Sequence, residues 1–428
     1  MTPDGRPVMD EAQARGLDAA DPLARFRAEF HLPAAPSGEP AIYLVGNSLG
    51  LMPRGARAEV EQVLADWERL AVDAHFQGRP PWYRYHERFR EPLARLVGAA
   101  PGEVVAMNSL SVNLHLMLAS FWRPAGNRTR IVMEGDAFPS DSYAIETHVR
   151  HRGLDPDREI VVLRPRTGDA VLPAEEFEAF LEAEGQTVAL VLVGGVHYYS
   201  GQRHDLARIT AAAHRAGALA GFDLAHAAGN VPLSLHQWGV DFAAWCSYKY
   251  LNAGPGAIAG VFVHERHGRD AALPRLAGWW GNDPETRFQM HLNTRFRPVE
   301  GADGWQLSNP PILAMAPLAA SLQLFDAAGM AALREKSVRL TRCLEAEVAA
   351  AAGRRITILT PADPEARGCQ LSLLVPEGSR RLFDALTAAG VVADYRPPDV
   401  IRMAPVPLYN SFHDIWRLGQ ALRAALDA

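Results

Sequence analysis

An aspartate, a histidine and a lysine stand in this chain at a spacing that suits the chemistry of a bound aldehyde. Asp223 and His226 close an apolar run in Gly-Phe-Asp-Leu-Ala-His, and Lys249 follows 26 positions after the aspartate in Ser-Tyr-Lys-Tyr. A glycine-rich turn ends this stretch of residues 221–256. An amine can hold an aldehyde as a Schiff base, and a carboxylate can keep a pyridine nitrogen protonated. Both are requirements of pyridoxal 5'-phosphate (PLP). A plainer reading makes Asp223 a strand cap and Lys249 a surface lysine. It is disfavoured, because Lys249 sits among Trp245, Tyr248, Tyr250 and Leu251, where a solvated charge is out of place.

The elements that must position these residues are legible from periodicity. Apolar runs at 159–163, 187–193 and 218–222 read as strands, and amphipathic stretches at 173–184 and 204–216 read as helices. That alternation predicts a parallel sheet covered on both faces, with ligands beyond the carboxyl ends of its strands. Asp223 and His226 lie at such an end. Further strands are expected at 130–134 and 258–263, and helices at 54–73 and 83–97. A long helical stretch at 312–352 leads to short strands and alanine-rich helices, which predict a small α+β domain.

Several turns carry polar groups with two readings each. Asn47, in Gly-Asn-Ser-Leu-Gly, is either a connector residue or an amide facing a ligand. Asn108, Ser109 and Ser111 precede an apolar helical run, as an ordinary cap or as a phosphate-binding helix start. Phe138 and Asp141 follow the strand at 130–134, where they could cover a flat heterocycle or open a helix. By its aromatic, proline-rich loop alone, His75 reads as structural.

Composition excludes several classes. With 428 residues, 48% hydrophobic and 21% charged, the chain reads as globular, with two domains or one domain and a lobe. A net charge of −6 gives no general attraction to nucleic acid or to an anionic membrane. No apolar run approaches a membrane span, and residues 1–16 lack the pattern of a signal peptide, so a cytoplasmic enzyme is expected. Three cysteines without CxxC spacing indicate neither a disulfide framework nor zinc. His197, His204, His214 and His226 match no ligand spacing, so no metal is expected. Gly-Pro-Gly-Ala-Ile-Ala-Gly at 254–260 is not a dinucleotide fingerprint. Cys369 could be a desulfurase nucleophile downstream of the lysine, but it opens an alternating strand pattern and reads as a buried thiol.

Taken in order, YLVGNSLGLMPR, NSLSVNLHLML, GDAFPSDSYAIE, GVHYYSGQ, GFDLAHAAGN, WCSYKYLNAG, GWWGN, LSNPPIL and IRMAPVPLYNSF resemble the kynureninases. The resemblance covers most of the chain. It implies an α/β architecture of PLP fold type I, with a mainly parallel sheet and a small C-terminal α+β domain. The expected division is an arm at 1–53 joining the small domain, a large domain at 54–310 and the small domain at 311–428. It also implies a homodimer whose active sites are shared between subunits.

By the same resemblance, Lys249 holds the cofactor and moves the Cα proton, Asp223 pairs with the pyridinium nitrogen beside Asp141, and Phe138 stacks on the ring. Leu110 and Ser111 meet the phosphate. His226 and Tyr248 contact the cofactor, with Tyr248 the general acid. Trp279 and Asn309 reach the site from the second subunit. Arg402 clamps the substrate carboxylate, and Asn47, His75, Ser308 and Asn309 complete the substrate pocket. Gly194 departs from relatives that carry a hydroxyl residue there. The implied reaction is hydrolysis of L-kynurenine to anthranilate and L-alanine, in tryptophan catabolism or NAD biosynthesis. Three polar side chains in the aryl pocket add 3-hydroxykynurenine as a second substrate.

Overall fold

The structure is a computed structural model describing residues 8–292 and 295–427. Its strands are β1 (Ile42–Tyr43), β2 (Val104–Ala106), β3 (Arg130–Glu134), β4 (Ile160–Leu163), β5 (Val188–Gly194), β6 (Leu219–Asp223), β7 (Phe242–Cys246), β8 (Ala259–Val263), β9 (Thr357–Ile358), β10 (Leu371–Leu374), β11 (Val391–Val392), β12 (Asp394–Arg396) and β13 (Val400–Met403). Seven of them form one sheet in the order β2-β8-β7-β6-β5-β3-β4. The run from β4 to β7 is parallel, as its apolar strands and intervening helices require. β8 is antiparallel to both β7 and β2. The segment joining β7 to β8 carries no helix and turns straight back, so it cannot make the crossover that a parallel return needs. Gly221 lets β6 approach β7 closely: a Cβ there would stand 2.1 Å from the Phe242 ring.

Two expected helices differ from the sequence reading. Residues 83–97 divide into a 3-10 segment, Trp82–Phe89, and an α-helix, Arg90–Val97. Pro92 lacks an amide hydrogen and would crowd the carbonyl four residues back, which favours an α-helix that begins just before it. The stretch 312–352 is two helices, Ile312–Ala328 and Met330–Ala352, bent by 82° at Gly329, whose φ is 76°. No single helix among the described residues is long and apolar enough to cross a membrane.

The C-terminal part holds an antiparallel sheet, β12-β13-β10-β9, and a core of its own. Ile42 and Leu44 belong to that core with Leu340, Leu371, Ile401 and Leu418. β1 pairs with β11. Asp18 accepts the amides of Phe412 and His413 at 2.7 and 3.0 Å, capping the last helix, and Arg27 pairs with Asp414 at 2.6 Å.

Candidate active site

β3, β5 and β6 lie side by side and end at one edge of the sheet, so their last residues, Glu134, Gly194 and Asp223, meet there. Beyond that edge is a cavity of about 300 Å³. Leu110, Ser111, Phe138, Asp141, Asp223, His226, Tyr248 and Lys249 all line it.

Lys249 is buried, with Nζ 3.1 Å from His226 Nε2 and 5.6 Å from the centre of the Phe138 ring. Burial, and then the charge of Lys249, hold His226 far below the ordinary imidazole range, so the partner of the amine is neutral. Asp223 accepts the Ala225 amide at 2.7 Å and is hydrogen-bonded to Asp141, which lies in the first turn of helix Pro139–His151. Burial raises both carboxyls, and Asp141 is pushed well up by burial and then by Asp223. Asp141 therefore carries the proton of the pair and donates it, while Asp223, with the Ala225 amide and the Lys249 charge to help it, accepts. Burial also raises the Tyr248 hydroxyl, which stays protonated.

Helix Leu110–Phe121 starts at the same cavity, and the Ser109 side chain makes no capping bond. The amides of Leu110 and Ser111 have no helical partner, which makes this an anion site. A buried amine, an acid pair, an aromatic face and an uncapped helix start are the four fittings that PLP requires, and they surround one cavity.

Arg402, on β13, is buried outside that lining. Its Nε and Nη2 donate to Asp394 at 3.2 and 2.8 Å, and Nη1 donates to the Tyr198 carbonyl at 2.7 Å. Of its five N–H groups, one on each Nη remains without a partner among the described residues, and these can take a carboxylate. Asn47 is buried and donates to Gln370, which itself donates to the Tyr198 carbonyl; Oδ1 of Asn47 has no partner.

The remaining expected residues lie elsewhere in the single chain. His75 and Asn309 line a second hollow, of about 470 Å³, with Trp67, Trp82 and Trp280. His75 holds the Val72 carbonyl at 3.0 Å and packs edge-on to Trp82. Trp279 is half-buried and donates to the Arg287 carbonyl, and Ser308 is exposed. Glu134 and Tyr198 were not singled out from the sequence, although both line the first cavity. Glu134 ends a strand just as Asp223 does, which is the signal that could have found it.

The kynureninase C-terminal domain family matches residues 333–422, and the class-V aminotransferase family matches residues 59–375. A kynureninase of Koribacter versatilis is 53% identical over 411 residues, covering 96% of each chain. One of Salinispora tropica is 54% identical over 425 residues, covering 98% of each. Among solved structures, the Escherichia coli cysteine desulfurase CsdA superposes with a TM-score of 0.76 at 18% identity, over 95% of this chain and 98% of its own. A C-DES mutant with glycine covalently linked to its PLP cofactor gives 0.76 at 17% identity, over 92% and 98%. These two establish the PLP fold type I architecture alone. Burial pushes the Cys369 thiol up to about 12, so it stays protonated. By sequence similarity over almost its whole length, the chain belongs to the kynureninase family.

Proposed function

We propose that this cavity binds PLP on Lys249 and hydrolyses L-kynurenine between Cβ and Cγ to anthranilate and L-alanine. The observation that carries the reading is a buried lysine facing a neutral histidine, beside an acid pair, in a chain of this family. Bound there, PLP supplies an electron sink for charge that develops on the substrate. Lys249 Nζ moves the Cα proton. Asp223, kept ionised by the proton on Asp141, holds the ring nitrogen protonated. The amides of Leu110 and Ser111 hold the phosphate, Phe138 covers the ring and His226 positions Nζ. The remaining N–H groups of Arg402 take the substrate carboxylate, and Asn47 acts on the same Tyr198 carbonyl through Gln370. Water adds to the γ-carbonyl, and as the Cβ–Cγ bond breaks and the aryl carboxylate leaves, Tyr248, protonated and lining the cavity, gives a proton to Cβ.

The active unit in this reading is a homodimer. Trp279 and Asn309 lie outside the lining of the first cavity and reach the cofactor site of the partner, and His75, Ser308 and Asn309 line the aryl pocket. Exposed Trp67 and Leu313 border the hollow that His75 and Asn309 line, an apolar rim suited to a subunit contact. The polar pocket also accepts 3-hydroxykynurenine, and the products feed tryptophan catabolism or NAD biosynthesis. All three cysteines are free, which supports a cytoplasmic location. The arm at 1–53 is taken as part of the small domain at 311–428, supported by the Asp18 cap and the shared core, with 54–310 as the large domain.

An assay of purified protein with L-kynurenine tests the reading. Anthranilate and alanine are expected in equal amounts, with a visible Schiff-base band that Lys249→Ala removes. Amino-group transfer to a 2-oxo acid without anthranilate would overturn it. For the aryl pocket, Asn309→Thr is expected to change the ratio of kcat/KM for the two substrates; an unchanged ratio would remove 3-hydroxykynurenine from the reading.

A further inference from the structure

Glu134 is a third buried acid at the cavity, and neither of the two acidic roles above uses it. It is 5% exposed. Oε1 accepts the Gly194 amide at 2.9 Å. No hydrogen bond joins Oε2 to another described residue, and the Glu134 side chain lines the cavity. An ideal Cβ built on Gly194 would stand 3.0 Å from Oε1, closer than ordinary packing allows. Gly194 does not have a positive φ, so the backbone there does not require glycine. What the missing side chain provides is room, and the Glu134 carboxyl fills it. Gly194 is the register partner of Asp223, so this space borders the part of the cavity that Asp223 serves.

We propose that Glu134 is a cofactor-binding residue, reaching over the end of β5 to give the PLP ring the polar contact that Gly194 has no side chain to give. The inference rests on PLP occupying this cavity. A purely structural glutamate that secures the end of β5 would need only the bond to Gly194. An Oε2 without a partner residue, on a side chain that lines a cavity already fitted for a polar ring, is what separates the two roles. Burial, opposed by the amides of Gly194 and of Glu134 itself and assisted by Asp223, pushes the Glu134 carboxyl up to about 7, so it can offer a proton as well as accept one.

The test is PLP affinity by equilibrium dialysis, with the pH midpoint of the visible band, for the parent, Glu134→Gln, Glu134→Ala, Gly194→Ser and the double variant Glu134→Ala/Gly194→Ser. Glu134→Ala is expected to weaken PLP binding about tenfold, the loss of one good hydrogen bond. Gly194→Ser should weaken binding in the parent, where its Cβ meets Glu134, and strengthen it in the Glu134→Ala background, where the space is free. That reversal of sign is the signature. Binding by Glu134→Ala within about twofold of the parent, or the same loss from Gly194→Ser in both backgrounds, would overturn the proposal. Should Glu134→Ala fail to fold, the size-preserving Glu134→Gln decides: an unchanged affinity and an unchanged band midpoint overturn it, and a shift in either upholds it. A parent that binds no PLP would overturn the functional reading itself.

Discussion

The central sheet buries acid at both of its ends and treats it in opposite ways. Asp241, just before β7, accepts His214 at 2.8 Å, His267 at 2.6 Å, Arg266 at 2.6 Å and the Ala220 amide at 2.7 Å. Burial works against its charge, yet those donors prevail and hold the carboxylate well below its usual range. At the other end Glu134, Asp141 and Asp223 share a single lysine and a few amides. There burial prevails, and all three are raised. A buried acid with a full set of donors is a strut. One whose donors are withheld is poised for a ligand that brings its own.

Substitutions at the two ends should separate these roles. Asp223→Asn is expected to lower kcat/KM by about 10²–10³-fold, as when one fixed electrostatic contact is removed, without lowering the thermal midpoint. Steady-state kinetics beside an unfolding scan would show this, and a loss of stability like that of Asp241→Asn would erase the distinction. Asp241→Asn should do the reverse, costing about 1–3 kcal/mol by leaving His214, His267 and Arg266 without their counter-charge, while activity per folded molecule holds. Denaturant titration measures it.

Glu134→Gln sharpens the contrast through pH. The folded carboxyl titrates near 7 and the unfolded one near 4.5, so the native state binds the extra proton between those values. The contribution of Glu134 is therefore fully present below about 4.5 and is lost as pH rises towards 7. The variant should flatten that decline in the cofactor-free protein, and an unaltered slope would mean that Glu134 is ionised throughout. The smallest effect belongs to Asp141→Asn. Asparagine imitates a protonated aspartate as a donor to Asp223, so kcat/KM should change by less than about tenfold. A loss as large as that of Asp223→Asn would show that the proton sits elsewhere.

What the sequence made legible follows the range of the forces involved. Strands 130–134 and 187–193 were readable because apolar runs and the turns after them are local, and Asp223 was readable because it ends such a run. Lys249 stood out against its aromatic neighbours. The break before Pro92 and the bend at Gly329 were written in single residues, but the surrounding helical periodicity outweighed them. Glu134 ends a strand as Asp223 does, but what sets it apart depends on Gly194, sixty positions away. The Asp394 side of Arg402 and the donors around Asp241 come from separate elements in the same way, and only pairing across strands and helices brings them together.

The cap that Asp18 places on the last helix joins residues 394 positions apart in the chain. The small core likewise sets Ile42 and Leu44 among residues 340–422. A ribosome therefore releases the arm long before its partners exist, and its apolar residues must wait through the synthesis of the entire large domain. Closure of the small lobe must then wait for residues 340–422, and it joins segments far apart in the chain. It is also the step at which a C-terminal truncation would leave a folded sheet with an exposed, aggregation-prone arm.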